Sequence, residues 1–306
     1  MTAPAAANAQ RQAANARGAG FWPALALTFN AAVWGTSWWA FRQLQGQGLH
    51  PLWATVLIYI AAALAIIAAR PRALGLVLRT PALWVLVLAS GATNAAFNWA
   101  IVIGDVVRVV LLFYLMPLWA VLLARLLLHE ALTRAAAARV LLALAGAAIV
   151  LWPADGGWPL PRTLADALGI VGGFSFALNN VMLRREAAQP EEGRALAMFI
   201  GGVVVAGSLA AALALRGAVA WIPAAAAGWL LWTLGLSLLF LLANLALQFG
   251  AARLPANVTA VVLLTEIVFA AGSALALGGG TLPPNVMLGG TLILAAAVLA
   301  ARRRRG

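Results

Sequence analysis

The sequence predicts an all-α polytopic membrane protein with ten transmembrane helices in two inverted five-helix repeats. Three observations carry that expectation. Of 306 residues, 64% are hydrophobic and 9% are charged, too few polar groups to cover the surface of a water-soluble fold. Apolar runs recur at short intervals, and many reach the roughly 20 helical residues that a hydrocarbon core of about 30 Å requires. The 20 basic residues, all arginine, are spread unevenly over the joints between these runs.

Residues 1–20 are rich in Ala, Asn and Gln, lack the apolar core of a secretion signal and read as a mobile cytoplasmic tail. Spanning segments are expected near 22–44, 51–69, 82–102, 106–128, 134–152, 165–184, 195–215, 227–249, 256–277 and 285–301. Pro51 marks one joint, Pro71 and Pro81 flank an Arg-rich turn, and Pro153 to Pro161 punctuate the most polar connection. That connection, 153–164, is expected as a periplasmic linker between a first repeat at 22–152 and a second at 165–301, with a basic cytoplasmic tail at 302–306.

Orientation follows from the arginines. With the N-terminus inside, 16 of 20 fall on cytoplasmic joints, leaving Arg42, Arg108, Arg162 and Arg216 near the outer side. This bias predicts a multi-pass membrane protein with both termini cytoplasmic. It explains the net charge of +12 without nucleic acid, and the terminal arginines read as a stop-and-anchor run at the membrane surface ahead of one that binds RNA or anionic lipid.

The halves repeat. An offset of 150 lays Asn94 on Asn244, Asn98 on Gln248, Trp119 on Phe269 and Met116-Pro117 on Glu266-Ile267; an offset of 142 lays Trp34 on Phe176 and Arg42 on Arg184. Five helices is an odd number, so the second unit inserts upside down, and inverted repeats place a site near the midplane between them.

Polar residues inside the spans are the candidates for that site. Glu266 stands in the middle of an apolar run, sharing a stripe with Thr259, Val262, Phe269 and Ser273. An ionisable group at mid-depth costs on the order of 2.5 kcal/mol or more, so it must face protein or water, as a coupling acid or a structural hydrogen-bonding group. The substrate-binding candidates are Trp34, Ser37, Trp38, Asn94, Asn98, Trp99, Tyr114, Asn179, Asn244 and Gln248. Their amides either join helices to one another, at about 0.6–2 kcal/mol per bond, or hold a zwitterion beside an aromatic ring. Trp22, Trp53, Trp84, Trp152, Trp158 and Trp221 sit near segment ends, as interfacial anchors do.

The AAVWGTSWWAFR stretch, LLFYLMPLWAVLLARLLLHEALT running to Glu130, and LPANVTAVVLLTEIVFAA resemble the drug/metabolite transporter superfamily, EamA type, over about residues 22–301. Within it the chain looks most like the YddG-type bacterial aromatic amino-acid exporters. The resemblance implies a place in the bacterial inner (cytoplasmic) membrane and export of Phe, Tyr, Trp and similar small molecules from the cytoplasm by alternating access. Trp34-Gly35-Thr36 matches the family's aromatic-Gly-Ser/Thr signature, Pro117 its helix-4 proline, Glu130 its end-of-helix acid and Glu266 its helix-9 acid. Two positions depart from the pattern: Ile267 stands where the family usually has Pro, and Gly278-Gly279-Gly280 replaces a Gly-Glu pair.

No cofactor, metal or ATPase subunit is expected. There is no Cys, there is no phosphate-cradling loop of Walker type, and the two His are far apart in sequence. An integral-membrane enzyme is the competing class, but the eight acids are scattered and His129-Glu130 is the only adjacent acid–base pair. The alternative cargoes are other amino acids, polyamines or drug-like cations.

Overall fold

Turns marked by proline and glycine send the chain back and forth through a bundle of apolar helices. The computed structural model describes residues 3–129, 133–153, 157–224, 227–251, 253–254 and 262–302. The helices are α1 (Ala3–Gly46), α2 (Pro51–Ala69), α3 (Arg72–Arg79), α4 (Pro81–Ile103), α5 (Val106–Phe113), α6 (Met116–Leu127), α7 (Arg134–Leu151), α8 (Leu164–Arg185), α9 (Glu191–Leu215), α10 (Ala227–Ala251), α11 (Thr265–Ala276) and α12 (Pro284–Arg302).

The helix starts are written in local chemistry. Pro51 opens α2 behind His50, whose Nδ1 accepts from the Leu52 N–H at 3.2 Å. Asp105 caps α5, Thr133 caps α7, and Thr163 with Asp166 forms a reciprocal capping box on α8. Inside the helices, Thr55, Thr93 and Thr233 donate to the carbonyl four residues back. Hydroxyls are satisfied locally in this way where no water is at hand.

Among the described residues, seven helices are long and apolar enough to cross a membrane, and two shorter apolar helices, Thr265–Ala276 and Pro284–Leu299, accompany them. The Arg-rich joint between Pro71 and Pro81 is not a turn but the short helix α3, which packs on α9 and buries Ala73 and Val77. Its two buried apolar residues, four apart, give it one face that a turn would lack. The backbone of α1 is helical from Ala3 to Gly46.

Packing runs across the sequence more than along it. α4 lies against α8 and α9, α10 against α1 and α2, α1 against α11, α6 against α8, and α7 against α12. In the last pair, a Cβ on Gly146 would lie 2.6 Å from the Gly289 carbonyl, and one on Gly289 would lie 2.5 Å from the Gly146 carbonyl. Such mutual approach of two backbones depends on glycine, as it does in membrane helix pairs generally.

Candidate functional site

The site is built from two interrupted helices. Between α5 and α6 the helix breaks at Tyr114 and Leu115. Pro117 has no N–H to continue the ladder and its ring crowds the carbonyl four residues back. Leu118 N instead donates to Leu115 O at 3.0 Å and Leu115 N to Leu112 O at 3.2 Å. The second interruption is at Leu264, just before α11. Although Ile267 stands where a proline was to be expected, the helix is broken without one. Thr265 Oγ1 bonds to Val262 O at 2.6 Å and Ile267 N to Leu264 O at 3.2 Å, the hydroxyl back-bonding that bends helices. The breaks at residues 114 and 264 are 150 apart, matching the sequence offset.

The two breaks meet. Tyr114, 3% exposed, donates its hydroxyl to Glu266 Oε2 at 3.1 Å. Among the described residues no arginine or histidine lies within ion-pair distance of Glu266. Broken helix ends at membrane depth persist only where protein or a polar cavity surrounds them, and they mark binding sites in transporters. α1 passes directly over this point: a Cβ on Gly35 would sit 2.6 Å from the Glu266 carbonyl and 2.8 Å from Phe269 Cβ. Next to Gly35, the half-buried Trp34 stacks on Phe240 with ring centroids 4.4 Å apart and planes 20° from parallel. Trp34, Tyr114 and Glu266 are thus gathered in one region of the bundle by α1, α5, α10 and α11.

The remaining candidates divide. Asn94 accepts from the Tyr59 hydroxyl and donates to Ser90 O, and Asn98, fully buried, donates to Thr55 Oγ1 at 3.0 Å. Both amides therefore join α4 to α2. Ser37 donates to Trp34 O within its own helix, and Trp38, 2% exposed, donates its indole N–H to Ser273 Oγ at 2.9 Å, near one end of the bundle. Trp99 meets the edge of His50 at 5.2 Å, also at that end. Asn179 is buried on α8, and among the described residues its Oδ1, Asn98 Oδ1 and Trp119 Nε1 have no partner. Asn244 is half-buried on α10. The side chain of Gln248, together with Glu130 and Thr259, lies outside the described residues.

Sequence reasoning missed Thr55, Tyr59 and Phe240, which satisfy or pack the predicted residues, and it missed the polar cluster at the Arg42 end. There Arg42 donates to Gly104 O at 2.6 Å, Ile101 O at 3.3 Å and Gly279 O at 3.3 Å, with its guanidinium 4.9 Å from the Trp38 ring centroid. Arg108 forks onto Asp166 at 2.6 and 3.1 Å and donates to Val150 O at 2.8 Å. A recess of about 690 Å³ beside this ion pair is lined by Asp105, Arg108, Trp152, Arg162 and Asp166. The partners of Asp105 and Arg108 lie 42, 58 and 176 residues away, beyond the reach of any local pattern.

Broken apolar helices meeting at one acid inside a bundle define a polytopic helical membrane protein. Residues 21–152 match the model of the EamA-like transporter family. A solved structure, described only as the crystal structure of a protein, is similar over 93% of this chain and 99% of its own, with 21% identity and a TM-score of 0.57. That likeness concerns the fold. No curated protein matches the chain.

Proposed function

We propose that the protein is a transporter that exports aromatic amino acids and similar small molecules from the cytoplasm by alternating access between two inverted five-helix units. The observation that carries the reading is the meeting of two helix breaks, 150 residues apart, at the Tyr114–Glu266 hydrogen bond. The EamA-like match over residues 21–152 supports transport as the activity.

Exchanged contacts support the inverted repeat. α4 packs on α8 and α9 as α10 packs on α1 and α2. Ser90 on α4 donates to Met198 O on α9, while Ser237 on α10 donates to Ile58 O on α2. Gly146 meets Ile293 as Gly289 meets Val150, a reciprocal pattern of the kind a two-fold axis generates. Ser90 and Ser237 are 147 apart, about one helical turn short of the offset that pairs Asn94 with Asn244. By these contacts the two asparagines are not equivalent.

In this reading the substrate's ring lies against the Trp34–Phe240 wall and its ammonium group approaches Glu266. Asn179, Asn244 and Gln248 supply further polar contacts. The Arg42 end is periplasmic and both termini are cytoplasmic, in the bacterial inner membrane. An acid without a cationic partner among the described residues also suits other amine-bearing cargo, so the alternative is the same cycle with other amino acids or drug-like amines.

The test is uptake of labelled tryptophan into liposomes carrying the purified protein. Saturable uptake blocked by phenylalanine and tyrosine but not by lysine or organic cations is expected. Uptake blocked only by the cations would move the assignment to amine drugs, and no uptake by folded protein would end the amino-acid reading.

A further inference from the structure

We propose that residues 278–281, held by Arg42 and Asp105, form a releasable strap that closes one end of the substrate path and is worked by α11. The proposal rests on the transporter reading. The strap is the Gly278-Gly279-Gly280-Thr281 run that links α11 to α12. Gly278 turns the chain at φ +68°, and Gly279 N bonds back to Ala274 O at 2.7 Å to end α11. From there the backbone lies flat on its neighbours. Any Cβ on Gly279 would run into the Trp38 ring, and one on Gly280 would lie 2.9 Å from Val107 and 3.2 Å from Asp105 Oδ1.

Two polar residues fasten it. Gly279 O accepts from Arg42 Nη2 at 3.3 Å and from Val106 N at 3.1 Å. Asp105 Oδ2 accepts from Thr281 N at 2.6 Å and from Thr281 Oγ1 at 2.9 Å. The remaining Arg42 donors hold the C-terminal carbonyls of α4, where a cation also complements the helix dipole. One guanidinium thus pins the ends of α4 and α11 to α1.

The fastening is of a kind that can open. Arg42 holds neutral carbonyls, and among the described residues it has no carboxylate within ion-pair distance. Thr281 is exposed, so water can replace each bond as it breaks. The neighbouring Arg108–Asp166 fork differs: its carboxylate is 2% exposed and takes backbone N–H bonds from Arg162 and Thr163 as well. That pair ties α5 to α8 and stays shut, because parting it would strand a buried charge.

α11 supplies the drive. It carries Glu266 in its first turn and the strap directly after its last. Glu266 and Gly279 are roughly 20 Å apart at 1.5 Å per residue. A ligand ammonium or a proton arriving at Glu266 competes with the Tyr114 bond, and a tilt of this one rigid helix is then felt at the strap. The three glycines let the strap lift without a side chain to unpack.

Because the chain has no native cysteine, a disulfide across the strap is clean to engineer. Asp105→Cys with Thr281→Cys joins two side chains already in contact. Transport is expected to fall to the level of empty liposomes on oxidation and to return on reduction. Independently of transport, Ser273→Cys lies under the strap beside Trp38, and its labelling by a membrane-impermeant thiol reagent is expected to speed up roughly tenfold when Asp105→Ala is added, since both hydrogen bonds to Thr281 are lost along with the α5 cap from Arg108 N. Full transport by the oxidised double variant, or labelling unchanged by Asp105→Ala, would overturn the strap. If the unmodified protein transports nothing, the transporter reading fails while the labelling still decides the strap.

Discussion

Asp105 and Asp166, at the Arg42 end, each accept several hydrogen bonds, Asp166 from Arg108, Arg162 and Thr163, and Asp105 from Arg108 and Thr281. Among the described residues, Glu266, in the middle of the bundle, accepts one, from Tyr114. Among the described residues, Asn98 Oδ1, Asn179 Oδ1 and Trp119 Nε1, all within membrane-spanning helices, have no hydrogen-bond partner. Leaving such groups unpaired is expensive in an apolar medium. The contrast separates two uses of polarity: at the Arg42 end the polar groups are taken up by bonds between helices and to the strap, whereas in the middle Glu266 keeps acceptor capacity for something that binds. A membrane-embedded acid that repaid its burial through structure alone would be expected to be fully paired.

Asp166→Ala breaks this comparison hardest. It strands Arg108 against a protein wall and is expected to cost about 3 kcal/mol, read as a lowered midpoint of thermal unfolding in detergent. Glu266→Gln is expected to do the reverse. The amide still accepts from Tyr114, so unfolding shifts little, while transport falls at least about tenfold because the charge that meets an ammonium is gone. A Glu266→Gln protein that unfolds early and transports normally would show that the acid is structural after all. Asn98→Ala removes one inter-helix bond to Thr55 and is expected to cost about 0.6–2 kcal/mol with transport intact, measured by the same two assays.

The smallest effect concerns pH. His50 caps α2 through an unprotonated Nδ1, and burial pushes its pKa below the ordinary value of 6.5. The unfolded chain therefore takes up the proton first. Its contribution to stability is complete above about pH 6.5 and is lost as pH falls toward the depressed folded value. Unfolding midpoints compared at pH 7.5 and 5.5 should show this dependence shrink in His50→Asn, which keeps a capping acceptor without the titration.

Helix periodicity, proline position and capping residues are local properties, and the sequence displayed them. The boundaries of α2, α7 and α8 fall within two residues of those expected from the apolar runs and their caps. Glu266 was legible because a charge in an apolar run is costly wherever the run folds. Ile267 departs from the family's proline, yet the helix is interrupted at Leu264, where the Thr265 hydroxyl bonds back to Val262 O. Asn94 and Asn98 look like lining residues in sequence for a related reason: an amide at mid-depth signals a need for a partner but does not say which helix brings it. Thr55 and Tyr59 on α2 bring it.

What the sequence by itself determined was that this chain is a bundle of apolar helices with one acid that had to be accounted for, because composition and period set the solvent and the secondary structure. Only the tertiary structure decided that Tyr114 meets Glu266 across 152 positions and that Arg42 meets a glycine strap 237 positions away. Those partners are chosen by how helices cross, and no local pattern records that.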